Sequence, residues 1–92
     1  MRLPGYGDDG PTLEIFRYDG MRDRRLPMPN EPGFAHVAFA VDDVERALET
    51  VISAGGGSVG EIATTEVDAV GSLQVVYARD PEGNIVELQK WS

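Results

Sequence analysis

The sequence contains no cysteine, so disulfides and thiolate metal sites are excluded. It has a single histidine, His36, and therefore one imidazole to offer any ion or proton. Basic residues are scarce: 8 Lys and Arg stand against 16 Asp and Glu, a net charge of −8. Phosphate backbones are bound chiefly by Lys and Arg, so this balance argues against a nucleic-acid partner. The basic residues that exist gather at Arg17, Arg22, Arg24 and Arg25, either as a solvated linker face or as an anion-binding patch. No stretch of about 18 apolar residues is present, so no membrane-spanning segment is expected. The first residues lack an apolar core, so no secretory signal is expected and a cytoplasmic location is the default. Ninety-two residues suffice for one small domain. Such a chain buries only about 60–65% of the surface its unfolded form exposes, and association is a usual remedy for a core of that size. With 41% hydrophobic and 26% charged residues it has a globular composition, not that of a disordered tail.

Turn chemistry at GYGDDGP precedes a strand-like alternation from Thr12 to Tyr18, with Leu13 and Ile15 on one side and Thr12, Glu14, Phe16 and Tyr18 on the other. Residues 19–33 are polar and carry Pro27, Pro29 and Pro32. They read as an extended arm without regular structure that packs across the rest of the chain or a partner. From Phe34 the texture changes. FAHVAFAV is a nearly continuous apolar run, which predicts a strand buried on both faces. Val44, Ala47, Leu48, Val51 and Ile52 then form one helical stripe. Asp42 is placed to cap that helix, with Glu45 completing a capping-box pair. Gly55, Gly56 and Gly57 stop it. Because these glycines follow a helix instead of opening one, they do not make a phosphate cradle.

Two strands follow, roughly Val59 to Asp68 and Ser72 to Arg79, the second with Leu73, Val75 and Tyr77 on one face and Val76 and Ala78 on the other. Asp80-Pro81-Glu82-Gly83-Asn84 reads as a type I turn closed by a glycine of positive φ. The last strand runs from Asn84 to Lys90, alternating Ile85, Glu87 and Gln89 against Val86 and Leu88. The order from Phe34 onward is β-α-β-β-β, an α+β class.

Two polar residues stand out against this apolar background. His36, alone, fits a hydrogen-bonded core histidine at least as well as a ligand. Glu87, mid-strand between Val86 and Leu88, is a carboxylate that burial would penalise unless it has a partner or its face is solvated. Glu14 repeats the apolar-Glu-apolar arrangement, and LEIFRY matches VELQKW in outline.

HVAFAVDDVERAL followed by YARDPEGNIVELQKW resembles one full module of the vicinal oxygen chelate superfamily, which holds glyoxalases, bleomycin-resistance proteins and extradiol dioxygenases. In that family two βαβββ modules pair into a cupped sheet around a divalent metal. The resemblance implies that residues 34–92 are one complete module, that 1–18 hold the last strand of a preceding one, and that 19–33 join them. It also implies that His36 and Glu87 are metal ligands, that Glu14 is a third ligand position, and that Glu87 or Glu14 could act catalytically as the proton-shuttling carboxylate. The chain departs from the family by lacking most of the first module. Either the natural protein extends upstream of Met1, or the chain completes itself as a homodimer whose twofold axis brings two histidines and two glutamates together.

Imidazole with carboxylates suits Zn, Ni, Mn or Fe in a site with open positions, which Lewis-acid catalysis requires. The function implied first is a metal-dependent lyase, isomerase or dioxygenase that binds a small substrate through vicinal oxygens. A metal-free cup of the bleomycin-resistance kind, lined by Phe16, Tyr18, Tyr77 and Trp91, is a second possibility. An inactive dimeric fragment is the third.

Overall fold

The computed structural model describes residues 1–3 and 7–92. Its elements are β1 (Val37–Ala40), α1 (Val44–Ser53), β2 (Gly57–Val67), β3 (Gly71–Arg79) and β4 (Ile85–Trp91). They form one four-stranded sheet in the order β1-β4-β3-β2. β4 pairs in parallel with β1 and antiparallel with β3, so the last strand lies between the first and third. The expected β-α-β-β-β order is the observed one.

The core lies between α1 and one face of the sheet. Val44, Val76 and Leu88 are its buried centre, and Phe39, Val41, Ala47, Leu48, Val51 and Ile62 pack around them. These residues are the helical stripe and the alternate strand positions, as the two periodicities require. Val76 and Ala78 take the helix side of β3, which turns Tyr77 to the opposite, open face.

The helix begins one residue later than expected. Asp43, not Asp42, is the N-cap, accepting a hydrogen bond from the Arg46 amide at 3.1 Å. Arg46 therefore occupies the position a capping box needs for Glu or Gln, and the box does not form. Glu45 lies in the first turn, where its charge favours the helix dipole. At the other end, Gly55 adopts φ +102° and Gly56 is pressed against the Arg79 carbonyl and the Val51 side chain. A methyl group at 56 would collide with that carbonyl, which belongs to the sheet and cannot turn away. Gly56→Ala is accordingly expected to destabilise the fold by about 1–3 kcal/mol, seen as a lower urea midpoint with unchanged slope.

Two expectations are corrected. The run from Phe34 to Val41 is not buried on both faces: Phe34 is fully exposed and Val37 is 39% exposed. β1 is a four-residue edge strand, bonded to β4 alone. Only its Phe39 side reaches the core, and no helix or strand among the described residues covers its other face. The strand expected over 12–18 also does not form. An isolated bridge joins Arg2 and Thr12, and Met1 and Leu13 exchange main-chain hydrogen bonds at 2.9 and 3.0 Å. A strand needs a neighbouring edge, and among the described residues this segment pairs only with the chain's own start; Ile15, Phe16 and Tyr18 stay exposed. The turn read at GYGDDGP lies partly outside the described residues; its later part closes with a Gly10 amide to Gly7 carbonyl bond of 3.0 Å.

Residues 19–33 contain no helix or strand and cross the β3–β4 turn. The Arg24 guanidinium donates to the Asn84 side chain, and Arg79 donates to the Pro27 carbonyl at 3.0 Å and the Gly83 carbonyl at 2.8 Å. That turn is itself tightly bonded. One Asp80 carboxylate oxygen accepts from the amides of Glu82 and Asn84 at 3.0 and 2.8 Å, and Gly83 takes φ +87°.

Candidate metal centre

β4 supplies the centre of the site. Leu88 points into the core, so Glu87 and Gln89 point to the open face. In the parallel pairing with β1, Ala38 stands directly across from Glu87. Its small side chain leaves room, and His36, two residues earlier on the same parity, fills it. The His36 Nε2 lies 3.1 Å from the Glu87 Oε1. The alternation read for the last strand puts Glu87 with Gln89, opposite Leu88, and the contact shows that His36 shares that face.

Tyr77 on β3 is the antiparallel partner of Glu87. Its ring meets the His36 ring edge-on, with centroids 5.1 Å apart and planes at 85°. The Tyr77 phenol is held above the usual tyrosine range, chiefly by hydrogen bonding to Glu87, then by burial and by the carboxylate's charge. It is therefore an O–H donor at neutral pH. The other Glu87 oxygen, Oε2, accepts from Gln89 Nε2 at 3.0 Å, and Gln89 Oε1 accepts from the Trp91 indole at 2.7 Å. The sequence offers Tyr77 and Trp91 only as aromatic lining. The bonded series along Glu87, Gln89 and Trp91 was missed, although its signal is in the sequence: three polar-tipped residues at spacing two share one strand face.

Glu14 is not part of this cluster. It is exposed, and among the described residues no group of three or more His, Asp or Glu side chains is placed to hold an ion. The single chain thus joins two of the three expected ligands. The donor set nonetheless fits a divalent ion. One imidazole nitrogen and one carboxylate oxygen are borderline donors suited to first-row metals. Donors at adjacent positions of such an ion, each about 2.0–2.2 Å from it, stand about 3 Å apart, close to the 3.1 Å found here. Two donors still fall short of the three or four protein ligands such sites use.

Beside His36 lies a cavity of about 430 Å³. Leu13 and Ile15 line it from the N-terminal segment, Pro27 from the arm, and Phe34, Val37 and Val86 from the sheet side. None of Phe16, Tyr18, Tyr77 and Trp91, the expected aromatic lining, borders it; the rings of Phe16 and Tyr18 instead stack on each other, centroids 6.3 Å apart.

Comparison with known proteins agrees with this architecture. The chain is 31% identical over 88 residues to a probable lactoylglutathione lyase of Vibrio cholerae, covering 91% of this chain and 57% of that protein. It is 38% identical over 64 residues to a putative glyoxylase, CFP32, of Mycobacterium tuberculosis, covering 70% of this chain and 23% of that protein. Among solved structures, a glyoxalase family protein from Bacillus cereus superposes with a TM-score of 0.66 at 26% identity, over 78% of this chain and 46% of that one. The chain thus spans about half of the Vibrio relative and of the Bacillus structure, and about a quarter of the mycobacterial protein. The profile of the Glyoxalase/Bleomycin resistance protein/Dioxygenase superfamily matches residues 3–88. With that match running through nearly the whole chain, this protein belongs to the glyoxalase/bleomycin resistance protein/dioxygenase superfamily.

Proposed function

We propose that the chain supplies half of a glyoxalase-type metal centre, with His36 and Glu87 as its ligands. The observation that carries this reading is the 3.1 Å approach of His36 Nε2 to Glu87 Oε1 on the uncovered face of the sheet. A second copy of the module would bring the remaining imidazole and carboxylate. The ion would be Zn, Ni, Mn or Fe, and when bound it would polarise two vicinal oxygens of a small substrate and favour their enediolate form.

This chain's own residues have separate tasks. Without an ion, His36 and Glu87 hold each other by a hydrogen bond, so the donors stay oriented toward one point. Tyr77 keeps its proton and presents an O–H to Glu87, with the His36 ring braced against its own. The cavity beside His36 is large enough for a small organic molecule and is walled mainly by apolar side chains, which would limit water around it. Similarity to the Vibrio lyase favours an isomerisation that moves a proton between adjacent carbons of a hydroxy-carbonyl thioester precursor. Glu14 joins the chemistry, as third ligand or proton carrier, only if residues 12–18 add to an exposed strand edge.

The test is elemental analysis of protein purified without chelator, paired with a thioester-formation assay on glutathione and methylglyoxal after loading with each of the four ions. Retained metal with activity supports the reading. Absence of binding to all four ions at micromolar concentration refutes it. A metal-free binding cup would instead show saturable uptake of small aromatic ligands, quenching Trp91 fluorescence, with no effect of chelator. The exposure of Tyr77 and Trp91 gives that outcome its physical basis.

A further inference from the structure

Besides the Tyr77 phenol, Glu87 has a different neighbour at each carboxylate oxygen. Oε1 faces His36, whereas Oε2 is engaged by the Gln89 amide, which is engaged in turn by Trp91. An indole nitrogen can only donate. The group it meets on Gln89 must therefore be the carbonyl oxygen, and this fixes the amide, whose two ends otherwise look alike. With its oxygen committed to Trp91, Gln89 must turn its NH2 group toward Glu87, where it can only donate to the carboxylate. Each bond in the series thus follows from a single donor at the end of the strand. All three residues lie on one face of β4 at alternate positions, so the backbone holds their spacing at every step.

We propose that Trp91 and Gln89 are positioning residues: a directed hydrogen-bond relay, indole to amide to carboxylate, that occupies Oε2 of Glu87 and reserves Oε1 for the ligand at His36. Neither residue touches that ligand. Its functional consequence rests on the reading of Glu87 as a metal ligand, but the relay itself is a property of the apo chain. Gln89 with either neighbour missing could rotate, and Glu87 would then keep only Tyr77 and His36 as its partners, with Oε2 unheld.

Trp91 is the sole tryptophan, so its indole N–H gives one assignable resonance in a nitrogen-edited spectrum. Gln89→Met keeps the length of the side chain and removes the acceptor. It should move that resonance to the position of a water-exposed indole, and Glu87→Leu should move it the same way by a smaller amount, because the polarised amide weakens as an acceptor. An indole resonance unmoved by Gln89→Met overturns the proposal, whether or not metal binds.

Zinc affinity is the second readout. Gln89→Met and Trp91→Phe should each raise the zinc Kd about ten-fold, as loss of an orienting neighbour does for other ligands. The double variant should also lose about ten-fold, because breaking either link breaks the same relay. Additive losses near a hundred-fold would show two independent packing effects and overturn it. Trp91→Phe retains an aromatic ring at a half-exposed position, so the fold survives the substitution. If the unsubstituted chain fails to bind zinc, the metal-centre reading falls, and the indole resonance alone decides the relay.

Discussion

Replacing His36 with alanine is expected to strip the chain of bound metal while leaving its fold intact. Removing an orienting neighbour of a ligand costs about 10–100-fold in metal affinity. Removing a ligand itself should exceed this, so a loss of more than about 100-fold is expected. The fold should survive because His36 precedes β1, packs against no core residue, and lies on the face away from Val44, Val76 and Leu88. Among the described residues its only close polar partner is Glu87, whose Oε2 remains bonded to Gln89 in the variant. Calorimetric titration with zinc checks the affinity, and circular dichroism checks the fold. A variant that binds zinc as tightly as the parent would remove His36 from the ligand set. A variant that unfolds would mark the histidine as a structural group. Leu88→Ala is the converse control: it lies on the same strand but faces the core, and it should cost about 2–5 kcal/mol of stability.

Most of the 34–92 fold was legible because two periodicities identify its elements and one glycine-bearing turn fixes their order. Glu87 was placed on the open face by parity alone: Val86 and Leu88 had to meet the helix stripe, and a charged group facing that helix would have lacked a partner. His36 followed from the same reasoning, since Ala38 and Ala40 shared its parity. What failed was inference about edges. FAHVAFAV has the composition of a strand covered on both faces, but composition reports only what a strand can tolerate, and what lies beside it is decided by the rest of the assembly. Thr12–Tyr18 has strand texture for the same reason and forms none, because a strand is a relation between two segments. The relay through Gln89 and Trp91 escaped notice because no motif announces it. It depends on side-chain rotamers that spacing permits and does not compel.

Those uncovered edges lead to the second large effect. At micromolar concentration the chain should have twice its mass of 10.0 kDa, and it should bind one zinc ion per two chains. Phe34 is fully exposed, Val37, Ile15 and Phe16 are exposed as well, and an apolar surface of this kind on so small a domain favours association. Two donors per chain cannot close a site that ordinarily takes three or four protein ligands, whereas a twofold pair offers two imidazoles and two carboxylates at one centre. Ion binding and association must then reinforce each other: zinc that binds the pair and not the single chain shifts the equilibrium toward the pair by mass action. Sedimentation at several protein concentrations, with and without zinc, measures both. Phe34→Asp supplies the decisive variant. The side chain is buried against nothing within its own chain, so the substitution should leave the single domain's stability within about 0.5 kcal/mol. It should nevertheless yield monomers, and with them lose zinc. A 10 kDa monomer that binds zinc one-to-one at His36 and Glu87 would sink the shared centre. So would a Phe34→Asp dimer, by moving the interface away from the edge of β1.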